Sequence, residues 1–386
     1  MKKITEINLN NKNVLIRVDY NVPLDGKEIV NDYRIKKSIK TIKYCLDANA
    51  NVILMSHMGR PKGQVNNKYS LGVLIKYLEE LFERDIIFSS NPISNSSKKI
   101  SKSLKNSKIH LLENLRFHKS EEENCKKFAK SLSEHADIYI NDAFGIYHRK
   151  HASNNAILKY FSKKNVCYGY LIEQELMYVN LLTNKPKKPY VVVIGGSKIE
   201  GKIQLISKFI DKADVILIGG GMAFTFLKSK GFDIGNSIID IDNIKNASLL
   251  LDKAINNNVT IILPSDVTVA YSIENKDSID VKNIEEIGKQ DMGLDIGPMT
   301  CINFEHYLST AKTVIWNGPL GVYEENEFNV GTQSIASIIL DLTKNNKITS
   351  IIGGGDTIAA LENCDLDAFS HVSTGGGACL ELLSRE

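Results

Sequence analysis

Short runs of aliphatic and β-branched residues recur along the chain, separated by longer stretches with apolar residues at helical spacing. The first half carries NVLIRVD (13–19), NVILMSH (51–57), KIHLLEN (108–114) and DIYINDAF (137–144). The second half carries YVVVIGG (190–196), DVILIGGG (214–221), VTIILPSD (259–266), TVIWNGP (313–319) and TSIIGGGD (349–356). These runs are apolar throughout instead of alternating with polar residues. That predicts strands buried on both faces, in parallel sheets covered by the intervening helices. The architecture occurs twice without any repeat of sequence. Between the halves, GYLIEQELMYVNLLTNKPKKP (169–189) predicts a helix ended by Pro186 and Pro189. We therefore expect an α/β protein of two doubly wound parallel-sheet domains, residues 1–170 and 186–368. A hinge helix over 171–185 would join them, with a ligand cleft between. One large sheet with a long surface helix is the alternative.

Composition narrows the function classes. A chain of 386 residues with 43% hydrophobic and 24% charged residues has ample material for two cores. A net charge of +3 gives no argument for nucleic acid or membrane as a partner. The lysine-rich SSKKISKSLKNSK (96–108) reads as solvated surface. Six scattered cysteines without a C-x-x-C fit a reducing compartment better than a disulfide framework or a zinc site. The start, MKKITEINLNNKN, lacks the apolar stretch of a signal peptide. No apolar run approaches the ~20 residues of a membrane span. The expectation is a cytoplasmic protein.

Ligands of open α/β sheets sit outside the carboxyl ends of the strands, and there the halves differ. In the first half the strand ends carry Arg17, Asp19 and Asn21; His57 and Arg60; Arg116 and His118; and His148, Arg149 and His151, with Arg34 on a nearby polar segment. Any one of these could be a surface ion-pair partner. Together they suit a small ligand with several negative charges, because the guanidinium fork matches phosphate and carboxylate. In the second half the strand ends carry glycine: GGSK (195–198), GGGMAF (219–224), NGPLG (317–321), GGGDT (353–357) and the late TGGGACLELL (374–383). Glycine lets backbone amides approach a ligand closely, and a following helix start favours anions. Several such loops on one rim point to a nucleotide. Two roles are open to Asp356, an N-cap or a Mg²⁺ ligand. One domain for a small polyanion, one for a nucleotide and a hinge suggest phosphoryl transfer on closure.

Within VVVIGGSKIEGKIQLI (191–206), Gly196, Gly201 and Lys202 have P-loop spacing. Ile203, however, stands where a P-loop needs the Ser or Thr that holds Mg²⁺.

Nine segments occur in the order RVDYNVPLDG, SHMGRPKG, LLENLRFH, GGSKIEGK, GGGMAFTFL, MGLDIGPMT, WNGPLGVYE, GGGDT and STGGGACLELL. Together they resemble the phosphoglycerate kinase family over nearly the whole length. The resemblance implies a monomer of two parallel α/β domains. It implies the glycolytic reaction 1,3-bisphosphoglycerate + MgADP ⇌ 3-phosphoglycerate + MgATP, with Mg²⁺ as the metal. GGSKIEGK is similar to the family's lysine loop, which makes the P-loop spacing coincidental. By the same resemblance, Lys198 guides the phosphoryl group and Lys202 contacts nucleotide phosphates. Asp356 holds Mg²⁺, and Thr357 with the amides of Gly354 and Gly355 binds the phosphates. Asn317 and Glu324 contact the nucleoside side. Asp19, Asn21, Arg34, His57, Arg60, Arg116 and Arg149 match the triose-binding positions. Arg34, Lys198 and the amides near Gly376 and Gly377 are expected to clamp the transferred group.

The segment 369–386 is expected to join the first domain. Two departures from the family pattern stand out. Gly201 occupies a usually polar position, and the sequence stops at ELLSRE, where family members continue with a short tail. A non-enzymatic phosphometabolite binder would leave the glycine rim and lysine loop idle. A lone P-loop-like NTPase would hydrolyse ATP without any triose. A dehydrogenase lacks its G-x-G-x-x-G.

Overall fold

The apolar runs form strands buried on both faces, and alternate residues serve opposite cores. Val14, Ile16 and Val18 pack with Ile42, Leu54 and Leu78, while Leu15 between them packs with Ile53, Phe128 and Tyr139. This is the period-2 geometry of a strand between two helical layers. The computed structural model describes residues 1–386 apart from 106–107, 185, 377, 380–381 and 384–386. Backbone packing divides the chain into Met1–Met177 and Tyr178–Glu386, within the helix Tyr170–Asn184.

The first unit contains β1 (Lys2–Lys3), β2 (Asn13–Val18), β3 (Leu24–Asp25), β4 (Glu28–Ile29), β5 (Asn51–Met55), β6 (Ile86–Ser89), β7 (Ile109–Leu112), β8 (Ile138–Asp142) and β9 (Val166–Tyr168). β3 and β4 pair as a small hairpin; the other seven form one sheet ordered β1-β9-β8-β2-β5-β7-β6. All its pairings are parallel. The chain leaves β2 toward β5 and later returns on the other side through β8, so the order reverses at β2.

The second unit contains β10 (Tyr190–Ile194), β11 (Val215–Ile218), β12 (Thr260–Ile262), β13 (Asp266–Ala270), β14 (Asp280–Asn283), β15 (Met292–Ile296), β16 (Thr313–Asn317), β17 (Thr349–Gly353) and β18 (His371–Val372). Six of them form a parallel sheet ordered β12-β11-β10-β16-β17-β18, which reverses between β10 and β16. β14-β13-β15 form a separate antiparallel sheet that the apolar pattern did not announce. The run VTIILPSD accordingly divides between two sheets, β12 before Pro264 and β13 after it. The described residues of 369–386 fall in the second unit, not with the first domain as expected, because β18 extends the second sheet alongside β17.

Three helices take their N-terminal caps from strands far away in sequence. Asp142 accepts from the Leu171 and Ile172 amides of the helix Tyr170–Asn184. Asp266 accepts from the Met299 and Thr300 amides of Pro298–Thr310. Asp295 accepts from the Gly331 amide of Val330–Lys344. All three carboxylates are buried, and each satisfies amides that have no partner within their own helix. The aspartates need the room that Gly169, Gly297 and Gly331 leave, since a Cβ at any of them would overlap the carboxylate. Gly297→Ala is expected to cost about 3 kcal/mol, through overpacking and a displaced cap. Urea unfolding against the parent chain measures it.

Candidate functional site

In the first unit the residues following β2 and β5 interlock. The amide of Gly59 donates to Asn21 Oδ1 at 2.8 Å. Arg34 donates to the Asn21 carbonyl at 2.9 Å and lies 3.5 Å from the Asp19 carboxylate. Arg116 donates to the Gly59 carbonyl at 2.9 Å and pairs with Glu122 at 3.2 Å. Asp19, Asn21, Arg34 and Arg116 thus form one connected group at the point where the sheet order reverses. His57 and Arg116 are buried, Arg34 is half-buried, and Arg60 and Arg149 are exposed. Burial and the charges of Arg17, Arg116 and Arg34 hold His57 well below the ordinary histidine range, so its ring is neutral at pH 7. Arg17, which the strand-end pattern placed among the rim cations, is fully buried beneath it.

In the second unit the ends of β10, β11 and β16 meet backbone to backbone. The Gly195 amide donates to the Asn317 carbonyl, Gly196 to Pro319, Gly220 to Leu320 and Met222 to Gly196. Gly195 must be glycine here, because a Cβ would overlap the Pro319 carbonyl. Lys202 turns inward along this seam. Its Nζ donates to the Gly195 carbonyl. Burial pushes Lys202 down to about 8, although the Asp356 carboxylate works the other way. Thr357 Oγ1 donates to the Gly353 carbonyl and accepts from the Gly318 amide, both at 2.7 Å. Asn317 donates to the same Gly353 carbonyl at 2.8 Å. Thr357 and Asn317 therefore lock the ends of β16 and β17 together.

Asp356 is the second residue of the helix Gly355–Ala360, and the cap position is Gly354 at φ +101°. The capping role open to Asp356 in the sequence thus falls to a glycine. Its carboxylate is exposed on the wall of a cavity of about 480 Å³. Gly196, Gly220, Gly221 and Glu324 share that wall, and Phe224, Ile238, Leu294, Leu320 and Val322 make the apolar side. Lys198 is exposed on the loop between Gly196 and the helix Ile203–Ile210. A Cβ on Gly376 would lie 3.6 Å from the Gly355 amide, which puts Gly376 beside the start of the helix Gly355–Ala360. Gly377 lies outside the described residues.

The fit to a Mg²⁺-nucleotide follows from this donor set. No group of three His, Cys, Asp or Glu that could hold a metal occurs among the described residues, so Asp356 would serve with substrate phosphates and water. Mg²⁺ ordinarily binds in that way. The apolar side of the cavity was missed in the sequence, because Leu294 comes from the unforeseen antiparallel sheet and Ile238 from an unpatterned loop.

A glycine-lined cavity at the reversal of one parallel sheet, and a cationic group at the reversal of another, define an α/β protein that handles phosphorylated ligands. The family model of phosphoglycerate kinase matches residues 4–386. The chain is 43% identical over 385 residues to the phosphoglycerate kinase of Prochlorococcus marinus (strain MIT 9515), covering 99% of this chain and 95% of the relative. It is 45% identical over 391 aligned residues to that of Pseudothermotoga lettingae, covering 99% and 96%. The solved phosphoglycerate kinase of Coxiella burnetii superposes with a TM-score of 0.84 at 36% identity, covering 99% of this chain and 96% of that one. The chain belongs to the phosphoglycerate kinase family.

Proposed function

We infer that the chain catalyses the reaction of its family, the reversible transfer of the acyl phosphate of 1,3-bisphosphoglycerate to MgADP in glycolysis. The observation that carries this reading is that Gly196 and Ser197 of GGSKIEGK and Asp356 of GGGDT line one cavity at the reversal of a parallel sheet. ADP or ATP would lie there, with the base on the apolar side and the phosphates toward Gly196, Lys198, Lys202 and the Gly354–Thr357 turn. Asn317 would act from beneath, by fixing the Gly353 carbonyl, and Glu324 would reach the nucleoside. The triose would take Asp19, Asn21, Arg34, His57, Arg60, Arg116 and Arg149.

In the ATP-consuming direction a carboxylate oxygen of 3-phosphoglycerate bonds to the γ-phosphorus and the bond to the ADP oxygen breaks. Nucleophile and leaving group are both anionic, so no general base and no covalent enzyme intermediate is needed. The residues position the groups and neutralise charge on the equatorial oxygens. Arg34, Lys198 and the Gly376–Gly377 amides would do this. Mg²⁺ held by Asp356 would supply further charge stabilisation when bound. A cytoplasmic monomer is part of the same proposal; among the described residues no disulfide joins the six cysteines, as in a reducing compartment.

A coupled assay with MgATP and 3-phosphoglycerate tests it, trapping 1,3-bisphosphoglycerate with a dehydrogenase and following NADH. Turnover that needs both substrates and the metal is expected. ATP hydrolysis without triose would favour a lone NTPase.

The position of Lys202 adds a pH dependence. Its charged form attracts phosphate, and that form is lost as pH rises through about 8. The Kd for ADP is expected to rise between pH 7.5 and 9.5, by up to about tenfold per unit above the pKa. In Lys202→Met that slope should vanish. Calorimetry across the range reads both.

A further inference from the structure

Arg17 is a buried cation that the proposed reaction does not use. Its side chain is fully buried, so it cannot touch a ligand directly. Every hydrogen bond it makes has a defined direction, because a guanidinium only donates. Nε donates to Ser153 Oγ at 2.9 Å, one terminal nitrogen donates to the Val18 carbonyl, and the other meets His57 Nδ1 at 3.1 Å. Ser153 Oγ, having accepted from Arg17, donates its own hydrogen bond to Glu121 Oε1 at 2.5 Å, while the Ser153 amide donates to Glu121 Oε2 at 3.0 Å. Glu121 is itself completely buried and balances the charge of Arg17. One chain of bonds therefore runs from Glu121 through Ser153 and Arg17 to the ring of His57.

The last link fixes a proton. Because Arg17 donates, Nδ1 of His57 must accept, and in a neutral imidazole the single proton then sits on Nε2. No hydrogen bond among the described residues engages Nε2. Nor is it among the buried polar atoms left without a partner, so it keeps access to solvent. We propose that Arg17, braced by Glu121 and Ser153, is a positioning residue that holds His57 as the neutral Nε2–H tautomer, so that His57 presents a fixed donor to the anionic triose. The groups facing His57 are Arg17, Arg116, Arg34 and His151, and the three arginines oppose protonation of the ring. Held this way, His57 donates to a phosphate or carboxylate oxygen without a charge that comes and goes near neutral pH. The inference rests on the triose-site reading given above.

The tautomer is read directly in the whole protein by histidine-selective ¹⁵N labelling, with His57 assigned by its absence in His57→Gln. The expected spectrum has an unprotonated Nδ1 and a protonated Nε2, unchanged from pH 8 to 5.5. A protonated Nδ1, or a titration with a midpoint near the unperturbed ~6.5, overturns the proposal. Removing Arg17 alone leaves Glu121 buried without its counter-charge. The functional test therefore compares Arg17→Met with its parent in a Glu121→Gln background. KM for 3-phosphoglycerate is expected to rise about tenfold with kcat within about twofold, the size of one hydrogen bond to a charged ligand. The ¹⁵N spectrum of that variant should show the fixed tautomer lost, with Nδ1 protonated in part of the population. A KM rise with Nε2 still the only protonated ring nitrogen reduces Arg17 to a packing role and overturns the proposal. If His57→Gln leaves 3-phosphoglycerate affinity unchanged by calorimetry while the tautomer is as stated, the donor role falls with the triose-site reading and only the bond chain stands.

Discussion

Lys198→Ala is expected to lower kcat by about a hundred- to a thousandfold while KM for ATP changes little. The reason lies in where the side chain stands. Lys202 is half-buried and bonded along the backbone seam, so it braces the strand ends in addition to the phosphate contact proposed for it. Lys198 is exposed on the same loop, and among the described residues it has none of those ties. It is therefore free to follow a phosphoryl group as that group moves. A cation whose contact strengthens only in the transition state contributes to kcat and not to ground-state affinity. Losing one such aimed charge costs roughly 3–4 kcal/mol of barrier. Steady-state kinetics in both directions measure it. A KM that rises as much as kcat falls in Lys198→Ala, or an unchanged kcat with a large KM, would make Lys198 a ground-state binder.

Asp356→Ala is the second large effect. The exposed Asp356 carboxylate lies on the cavity wall in the first turn of a helix whose cap is a glycine. Its removal is expected to cost about a hundredfold in kcat and to raise the Mg²⁺ concentration for half-maximal rate about tenfold or more, since Mg²⁺ commonly keeps only one or two protein carboxylates. Stability should hold, because Asp356 is not the capping residue and supports no other side chain through a hydrogen bond among the described residues. Titrating activity against MgCl₂ checks this. An unchanged metal requirement with lowered kcat would assign Asp356 a role other than metal ligand.

The strand ends were legible because two signals coincide there, an apolar run and an abrupt change to glycine or arginine. Those signals put Gly196, Gly220 and Asp356 on one rim, whereas Glu324 follows only from the family resemblance. What they could not show is which way a side chain turns. Arg17 and Arg60 both follow apolar runs, yet one is fully buried and the other exposed. The difference depends on Glu121 and Ser153, more than a hundred residues from Arg17 in sequence. Asn317 and Thr357 looked like ligand contacts, but their side chains first hold the strand ends together. The antiparallel sheet was illegible for a different reason. β13 and β15 are short and broken by polar residues or glycine, DVTVA and MGLDI, so neither forms a continuous apolar run, and the run VTIILPSD reads straight through Pro264.

The remote aspartate caps also bear on how the protein assembles. None of the three helices owns its own start: the groups that satisfy the first amides lie 29, 34 and 36 residues away in sequence. Cut out as a peptide, residues 298–310 would fray at that end, because Gly297 supplies no side-chain acceptor. In the intact chain those first turns become stable only once β8, β13 and β15 are in place. Helix and strand must then form and melt together, so slow hydrogen exchange at the Leu171, Thr300 and Gly331 amides should report the integrity of the sheets and not of the helices that contain them.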